Sequence, residues 1–341
     1  ANSGSIPAMR YGEIYTAHND YIKQFQSFIS ENVAKEATLL KNGDLLFSCS
    51  GETKEDIGKC VAFVSNERAY AGGDIIILSP TVPCDSKYIG FLCNSSFVNK
   101  QRYSFAQGDS IVHISSESIG KIEIPFPPLN EQKKIAAMLS VWDSAIEKME
   151  KLIEFKESQK KSLIKKLIEK QEEKANKIKV GNVTIDKNKW KHERIGNVLK
   201  IGHGKDYKGL SLGKVPVFGS GGYMTSVDKF LHDGETVCIG RKGTIDKPFY
   251  YKGKIWTVDT LFYTYDFKNV IPKFIYYVFC SIPWKIKNEA GGVPSLTSKI
   301  VENVEFYSPS LPEQQIIVDV LSNADKELSL LKQQLENYKK Q

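Results

Sequence analysis

Asp44, Glu52 and Lys54, in GDLLFSCSGETK, have the order of a metal-dependent nuclease site, with two carboxylates to hold Mg²⁺ and a lysine to position water. The matching stretch later in the chain, GETVCIGRKGT, keeps an acid at Glu235 but places Arg241, Lys242 and Gly243 where a Glu-x-Lys would stand. A chain built on one plan twice, as the repeat below indicates, is not expected to carry one catalytic centre, so an endonuclease is only the alternative reading. The five histidines (His18, His113, His192, His203, His232) have no ligand spacing, and His113 in SIVHIS reads as a strand-end residue. The six cysteines (Cys49, Cys60, Cys84, Cys93, Cys238, Cys280) form no Cys-x-x-Cys pair, so no metal or cofactor is expected, and reduced thiols in a cytosolic setting are. Neither an Asn-Pro-Pro-Tyr nor an Asp-Pro-Pro-Tyr base pocket occurs, which speaks against a methyltransferase. FGSGG at 218–222 has neither the Walker pattern nor a Gly-x-Gly-x-x-Gly opening a helix, and reads as a turn.

The remaining chemistry is that of binding. GHGKDYKG (202–209) and IGRKGT (239–244) combine glycines, which let backbone approach a ligand closely, with Lys205, Lys208, Arg241 and Lys242, cations suited to phosphates. Arg241 could instead fork onto a guanine edge, and Tyr207 and Tyr223 could stack or donate hydrogen bonds. In the first half the positional candidates are Arg10 and Tyr11, Ser48, Ser50 and Lys54 after DLLFSCS, and Arg68 and Tyr70 with Asp74 in NERAYAGGD. Formal charge is uneven: −3 over residues 1–129, +4 over 130–180, +7 over 181–311 and −1 over 312–341. A polyanion therefore suits the second half, whereas the first would need a local basic patch or a partner's field.

What positions these loops is a phrase written twice. PFPPLNEQKKIAAMLSVWDSAIEKMEKLI (125–153) returns as YSPSLPEQQIIVDVLSNADKELSLLKQQL (307–335). Ile135, Leu139, Trp142, Ile146, Met149 and Ile153 in the first, and Ile317, Leu321, Ala324, Leu328, Leu331 and Leu335 in the second, alternate at intervals of four and three, a heptad seam. Tyr338 extends the second seam, and Lys156 and Lys160 fall where the first would continue, so it is expected to fray there or meet a partner. Two seams in one chain most simply bury each other as an antiparallel pair, although each would also fit packing on its own domain. Pro128 and Pro312 stand at the helix starts, where a missing N–H costs nothing. Helices over 130–175 and the last 30 residues would span about 69 Å and about 45 Å, against about 34 Å for one turn of duplex. Lys133, Lys134, Lys160, Lys161, Lys165 and Lys166 read as a solvated face, with partner docking as the alternative.

The duplication extends upstream: 108–129 parallels 291–311, 39–53 parallels 230–244, and 4–15 parallels 213–224. Only the opening segment WKHERIGNVLKIGHGKDYKGLSL (190–212) has no earlier counterpart, so the first copy is expected to lack its native opening. With 341 residues and 41% hydrophobic content, two cores are available, and no apolar run approaches the length of a membrane span.

WKHERIGNVLKIGHG, DGETVCIGRKGTI and above all IEIPFPPLNEQKKIAAMLSVWDSAIE resemble the specificity subunit of type I restriction–modification enzymes, over essentially the whole chain. The resemblance implies an α/β protein of two β-rich target-recognition domains in pseudo-twofold tandem repeat, separated by an antiparallel two-helix coiled coil. The expected borders are a first recognition domain at 1–128, a central helix at 129–180, a second recognition domain at 181–310 and a distal helix at 311–341. It further implies a non-catalytic, cytoplasmic subunit that reads a bipartite double-stranded DNA target. Its partners would be methyltransferase subunits and, through them, the restriction subunit. A coiled-coil adaptor that binds no DNA is the remaining alternative. The bases read, the spacer length and the oligomeric state have no legible motif.

Overall fold

A computed structural model of the chain describes residues 4–108, 111–170, 176–288 and 290–340. It resolves into two compact units, Ala1–Glu147 and Lys148–Gln341. The division falls inside a continuous central helix, Leu129–Ile168, whose 40 residues rise about 60 Å. The expected extension of that helix to 175 is not made: it ends at Ile168, and residues 171–175 lie outside those described. The terminal helix is Leu311–Lys340, 30 residues as its spacing predicts.

In the first unit the strand Leu45–Ser48 runs between Cys60–Ala62 and Ile75–Leu78, antiparallel to both. Its side chains alternate across the sheet, as a period of two requires: Leu45 and Phe47 join one cluster with Tyr88 and Ile89, and Leu46 joins Val61 and Phe63 on the other side. A second sheet has Ile6–Met9 parallel to Tyr70–Ala71. The second unit repeats this plan in a single six-stranded sheet. Its central strand His232–Gly240 lies between Phe249–Thr257 and Leu261–Tyr265, and Val237 and Ile239 point away from Cys238. The parallel pair recurs too, with Val217 against Trp256 as Ala8 is against Tyr70.

The Leu-x-Glu-Gln junction is the clearest copy. Gln132 is fully buried; its Oε1 accepts from the Asp85 N–H at 2.9 Å and its Nε2 donates to the Pro127 carbonyl at 2.8 Å. Gln314 is fully buried likewise, accepting from the Ile271 N–H at 2.8 Å and donating to the Pro309 carbonyl at 3.0 Å. In each unit one amide ties the helix start to the prolyl strip before it and to the start of a domain helix, Ser86–Cys93 or Pro272–Ser281.

Both packing modes that the heptad spacing allowed are realised, in different turns. Ile135 and Ala136 pack into the first unit's core, and Ile317, Val318 and Leu321 into the second's, so these early turns serve domains and not a coiled coil. Further along, within the second unit, the helices run antiparallel, with Ile153 and Leu328 buried and Lys156–Glu327 (2.7 Å) and Lys339–Glu150 (2.6 Å) bridging them. The expected fraying at Lys156 and Lys160 is corrected. These lysines meet Glu327 and Asp325 across the pair, and the apolar seam resumes at Leu163 and Leu167. Lys133, Lys134, Lys161, Lys165 and Lys166 are exposed, the solvated face that the charge run indicates.

The end of the central helix is closed by a lysine that the sequence did not single out. Lys187 is 2% exposed and donates from Nζ to the carbonyls of Lys166 (2.7 Å) and Glu169, which the helix leaves unpartnered. Burial lowers its pKa to about 8, against a smaller opposing pull from Glu169. Between about pH 8 and 10.5 the unfolded chain holds the proton and the folded chain does not, so stability from this group rises with pH across that window. Lys187→Met should flatten a rise of at most about 3 kcal/mol, read by denaturation at a series of pH values. An unchanged pH profile would contradict this role.

Candidate nucleic-acid interface

In the second unit three loops meet around a cleft of about 730 Å³. Tyr207 and Lys208 come from the loop before Leu212–Gly219, Tyr223 from the hairpin after it, and Asp259 and Thr260 from the turn between Phe249–Thr257 and Leu261–Tyr265. Close backbone approach assembles them. A Cβ at Gly204 would fall 2.0 Å from the Val258 carbonyl oxygen, and one at Gly240 would fall 2.0 Å from that of Thr244. Lys205 is pinned through its N–H to the Thr257 carbonyl at 2.8 Å, and its own carbonyl accepts from Trp256 Nε1 at 2.9 Å. Arg241 and Lys242 hang on the cleft's wall: both N–H groups donate to the Thr260 carbonyl, at 2.8 and 3.3 Å. The Arg241 guanidinium also reaches the Asp259 carbonyl oxygen at 3.3 Å.

Tyr223 is 63% exposed, while its hydroxyl lies 3.1 Å from Ser226 Oγ. Lys205, Lys208 and Lys242 are exposed and Arg241 is half-buried. Of the six residues singled out in this half, Tyr207, Lys208 and Tyr223 line the opening, and Arg241 and Lys242 are tied through their backbone to Thr260 on its wall. The sequence reading missed Asp206, Met224, Asp259 and Thr260, which line the same cleft. A carboxylate among cations repels phosphate but accepts from a cytosine or adenine amino group, which suits base reading. The signal for Asp259 and Thr260 was present as a polar break, TVDTLF, between two apolar strands.

The first unit treats its candidates differently. Ser48 is fully buried and donates to the Tyr15 hydroxyl at 2.6 Å, so it cannot meet a ligand in this conformation. Ser50 Oγ lies 3.1 Å from His113 Nδ1, in the short strand pair that joins Ser50–Gly51 to Val112–His113. Arg68 grips both Glu31 carboxylate oxygens, at 3.0 and 3.0 Å, and the hydroxyl of Tyr70, itself buried. A phosphate would have to displace Glu31. Arg10 caps the helix Tyr11–Thr16 and is exposed, as is Tyr11, and Lys54 is half-buried. Asp44, the first carboxylate of the nuclease alternative, is 3% exposed, accepting from Ser79 Oγ at 2.6 Å and from the Lys41 N–H at 2.8 Å. Its oxygens are turned into a structural turn and not toward a metal.

Comparison with known proteins agrees with this architecture. The family described as type I restriction modification DNA specificity domain matches twice, at residues 1–157 and 161–339, and the chain belongs to that family. The type I restriction enzyme MjaVIII specificity subunit of Methanocaldococcus jannaschii is 24% identical over 284 residues, 72% of this chain and 64% of that protein, so the match spans somewhat under two thirds of the relative's length. Among solved structures, the fold is similar to that of the type I restriction–modification S subunit from M. genitalium, with a TM-score of 0.64 and 18% identity over 99% of this chain and 87% of that one. A chain from work on complex assembly and conformational transition of the type I R-M system gives 0.62 and 16%, over 99% and 89%.

Proposed function

We propose that this chain is the DNA-reading component of a type I restriction–modification complex, recognising a bipartite duplex target without performing chemistry itself. The carrying observation is the cleft of the second unit, where loops from distant parts of the sequence bring Tyr207, Lys208, Tyr223 and the Arg241–Lys242 turn together around Asp206 and Asp259. Cations there hold phosphates, and Arg241 with the two carboxylates reads base edges. Its unit carries the chain's positive excess, which supplies the long-range attraction. The first unit, with Arg10, Tyr11, Ser50 and Lys54 as accessible candidates, reads the other half-site. Methyltransferase subunits dock on the helices and bring the restriction subunit, and the complex works in the cytoplasm.

Family membership supports this reading over a metal nuclease, whose Asp44 is already bonded within a turn. The test is binding to random duplex libraries, with and without the methyltransferase subunits, at several salt concentrations. Selection of a split sequence, tighter with the partner and weaker with salt, is expected. Absence of sequence selection in the assembled complex would overturn the reading. Arg241→Ala should weaken binding to one half-site by about 1–3 kcal/mol, whereas equal loss at both would remove Arg241 from base reading.

A further inference from the structure

Both units pin the turn that follows the central strand with the same backbone bonds. In the second unit the Arg241 N–H donates to the Thr260 carbonyl at 2.8 Å, and the Leu296 N–H donates to the Arg241 carbonyl at 2.8 Å. Lys242 bridges to Ser295, the Gly243 N–H donates to the Pro294 carbonyl at 2.9 Å, and the Ser295 N–H donates to Asn288 Oδ1 at 2.8 Å. In the first unit the Cys49 N–H donates to the Asp74 carbonyl at 3.1 Å, and the Ile114 N–H donates to the Cys49 carbonyl at 3.0 Å. Ser50 and Gly51 then pair with His113 and Val112, and the His113 N–H donates to the Gln107 carbonyl at 2.8 Å.

The register of the strands leading into each turn agrees. Phe47 and Ser48 stand opposite Ile76 and Ile75, as Ile239 and Gly240 stand opposite Phe262 and Leu261. Cys49, Ser50, Gly51 and Asp74 therefore hold the places of Arg241, Lys242, Gly243 and Thr260, with Ile114 buried as Leu296 is. Letter-by-letter alignment of 39–53 with 230–244 is one residue out at this point, since it sets Ser50 against Arg241. The Tyr15 hydroxyl adds a bond to the Ser50 carbonyl at 2.9 Å, so the turn is fixed from both sides of its chain. Asp74 and His113 are exposed on it, and Cys49 and Ser50 are half-buried. Ser50 Oγ lies 3.1 Å from His113 Nδ1, and Cys49 Sγ lies 3.9 Å from Asp74 Oδ1.

We propose that Cys49–Gly51, with Asp74 and His113, is the base-reading turn of the first unit, and that it reads with acceptor and neutral groups where the second unit uses cations. This rests on the DNA reading above and gives it residues in the first unit. Thr260 lines the second unit's cleft, so Asp74 stands where a cleft residue stands. A carboxylate in that place accepts from the exocyclic amino group of cytosine. The Ser50–His113 pair offers a hydroxyl and a ring nitrogen, each able to donate or accept. Cys49 and Ser50 replace two cations, in keeping with the formal −3 over residues 1–129 against +7 over 181–311. The first unit's turn sorts bases on a duplex that the second unit's cations hold.

Asp74→Asn is the discriminating variant. Asp74 has φ +62°, a conformation that asparagine tolerates as aspartate does, so the exchange leaves the backbone unstrained. It swaps an acceptor oxygen for an amino donor. The complex with methyltransferase subunits selects from random duplex libraries, as parent and as Asp74→Asn, Ser50→Ala, Lys242→Ala and Arg241→Ala. Asp74→Asn should change the preference at one position by about tenfold, cytosine giving way to adenine, in the half-site that Arg241→Ala leaves intact. Ser50→Ala should relax selection in that same half-site with an unchanged salt slope, whereas Lys242→Ala should reduce the slope by about one. Thermal midpoints equal to the parent's exclude unfolding as the cause, and Ser50→Ala carries the test by itself if Asp74→Asn does not assemble. A parent that selects a split sequence, with variants that select it unchanged or alter the half-site weakened by Arg241→Ala, would overturn the assignment and leave the DNA reading standing. A parent complex that selects no sequence would remove the DNA reading and this assignment together.

Discussion

Leu328→Asp combined with Leu331→Asp is expected to cost about 3–5 kcal/mol of stability and to abolish assembly with partner subunits. Leu328 is 8% exposed and faces the stretch of the central helix that carries Lys160, Lys161 and Ile164. A carboxylate there loses its hydration and finds the nearby cations engaged, because Lys156, Lys160 and Lys332 already pair with Glu327, Asp325 and Glu157. Leu331 is half-buried and contributes the smaller part. Leu330, 60% exposed on the same helix, is the control: Leu330→Asp should stay within about 0.5 kcal/mol of the parent. Chemical denaturation and co-purification with the methyltransferase subunits measure both effects. A double variant that keeps parental stability and assembly would show that the seam lies elsewhere.

Gln314→Leu should destabilise the second unit by about 3–5 kcal/mol although it swaps side chains of similar size. The leucine leaves the Ile271 N–H and the carbonyls of Asn269 and Pro309 without the partner that now bonds them at 2.8, 3.2 and 3.0 Å, in a place with no exposure to water. Gln132→Leu strands only the Asp85 N–H and the Pro127 carbonyl, so its cost should be smaller, about 2–3 kcal/mol, and should fall on the first unit. Hydrogen exchange resolved by unit separates the two. If both variants protect their amides as the parent does, the amide clamp is not what holds the helix starts.

The duplicated plan was legible because each copy is written locally. Heptad spacing, the prolyl strip before each helix and the Gly-turn before each central strand are relations between near neighbours, and the structure places a helix or a strand at each. The roles of single polar residues were not legible, since their partners are remote. Gln314 meets Asn269, 45 positions away, and Lys187 meets Lys166, 21 positions away. Arg68 looked free to bind a ligand until its partner Glu31, 37 positions earlier, came into place. Ser48 follows three apolar residues on a strand covered on both faces, and only the second covering layer makes it inaccessible.

By itself, then, the sequence determined that there are two like modules, that two long helices follow them, and which loops carry cations and aromatics. Period and spacing survive in any fold that buries an apolar stripe. Tertiary structure decided which helical turns serve a domain and which serve the other helix, since a heptad repeat specifies a face but not its occupant. It also decided that Lys156 and Lys160 are matched across the seam, and that Asp206 and Asp259 share a cleft with Tyr207 and Tyr223. Those outcomes depend on distances between residues far apart along the chain, and such distances exist only once the backbone has closed on itself.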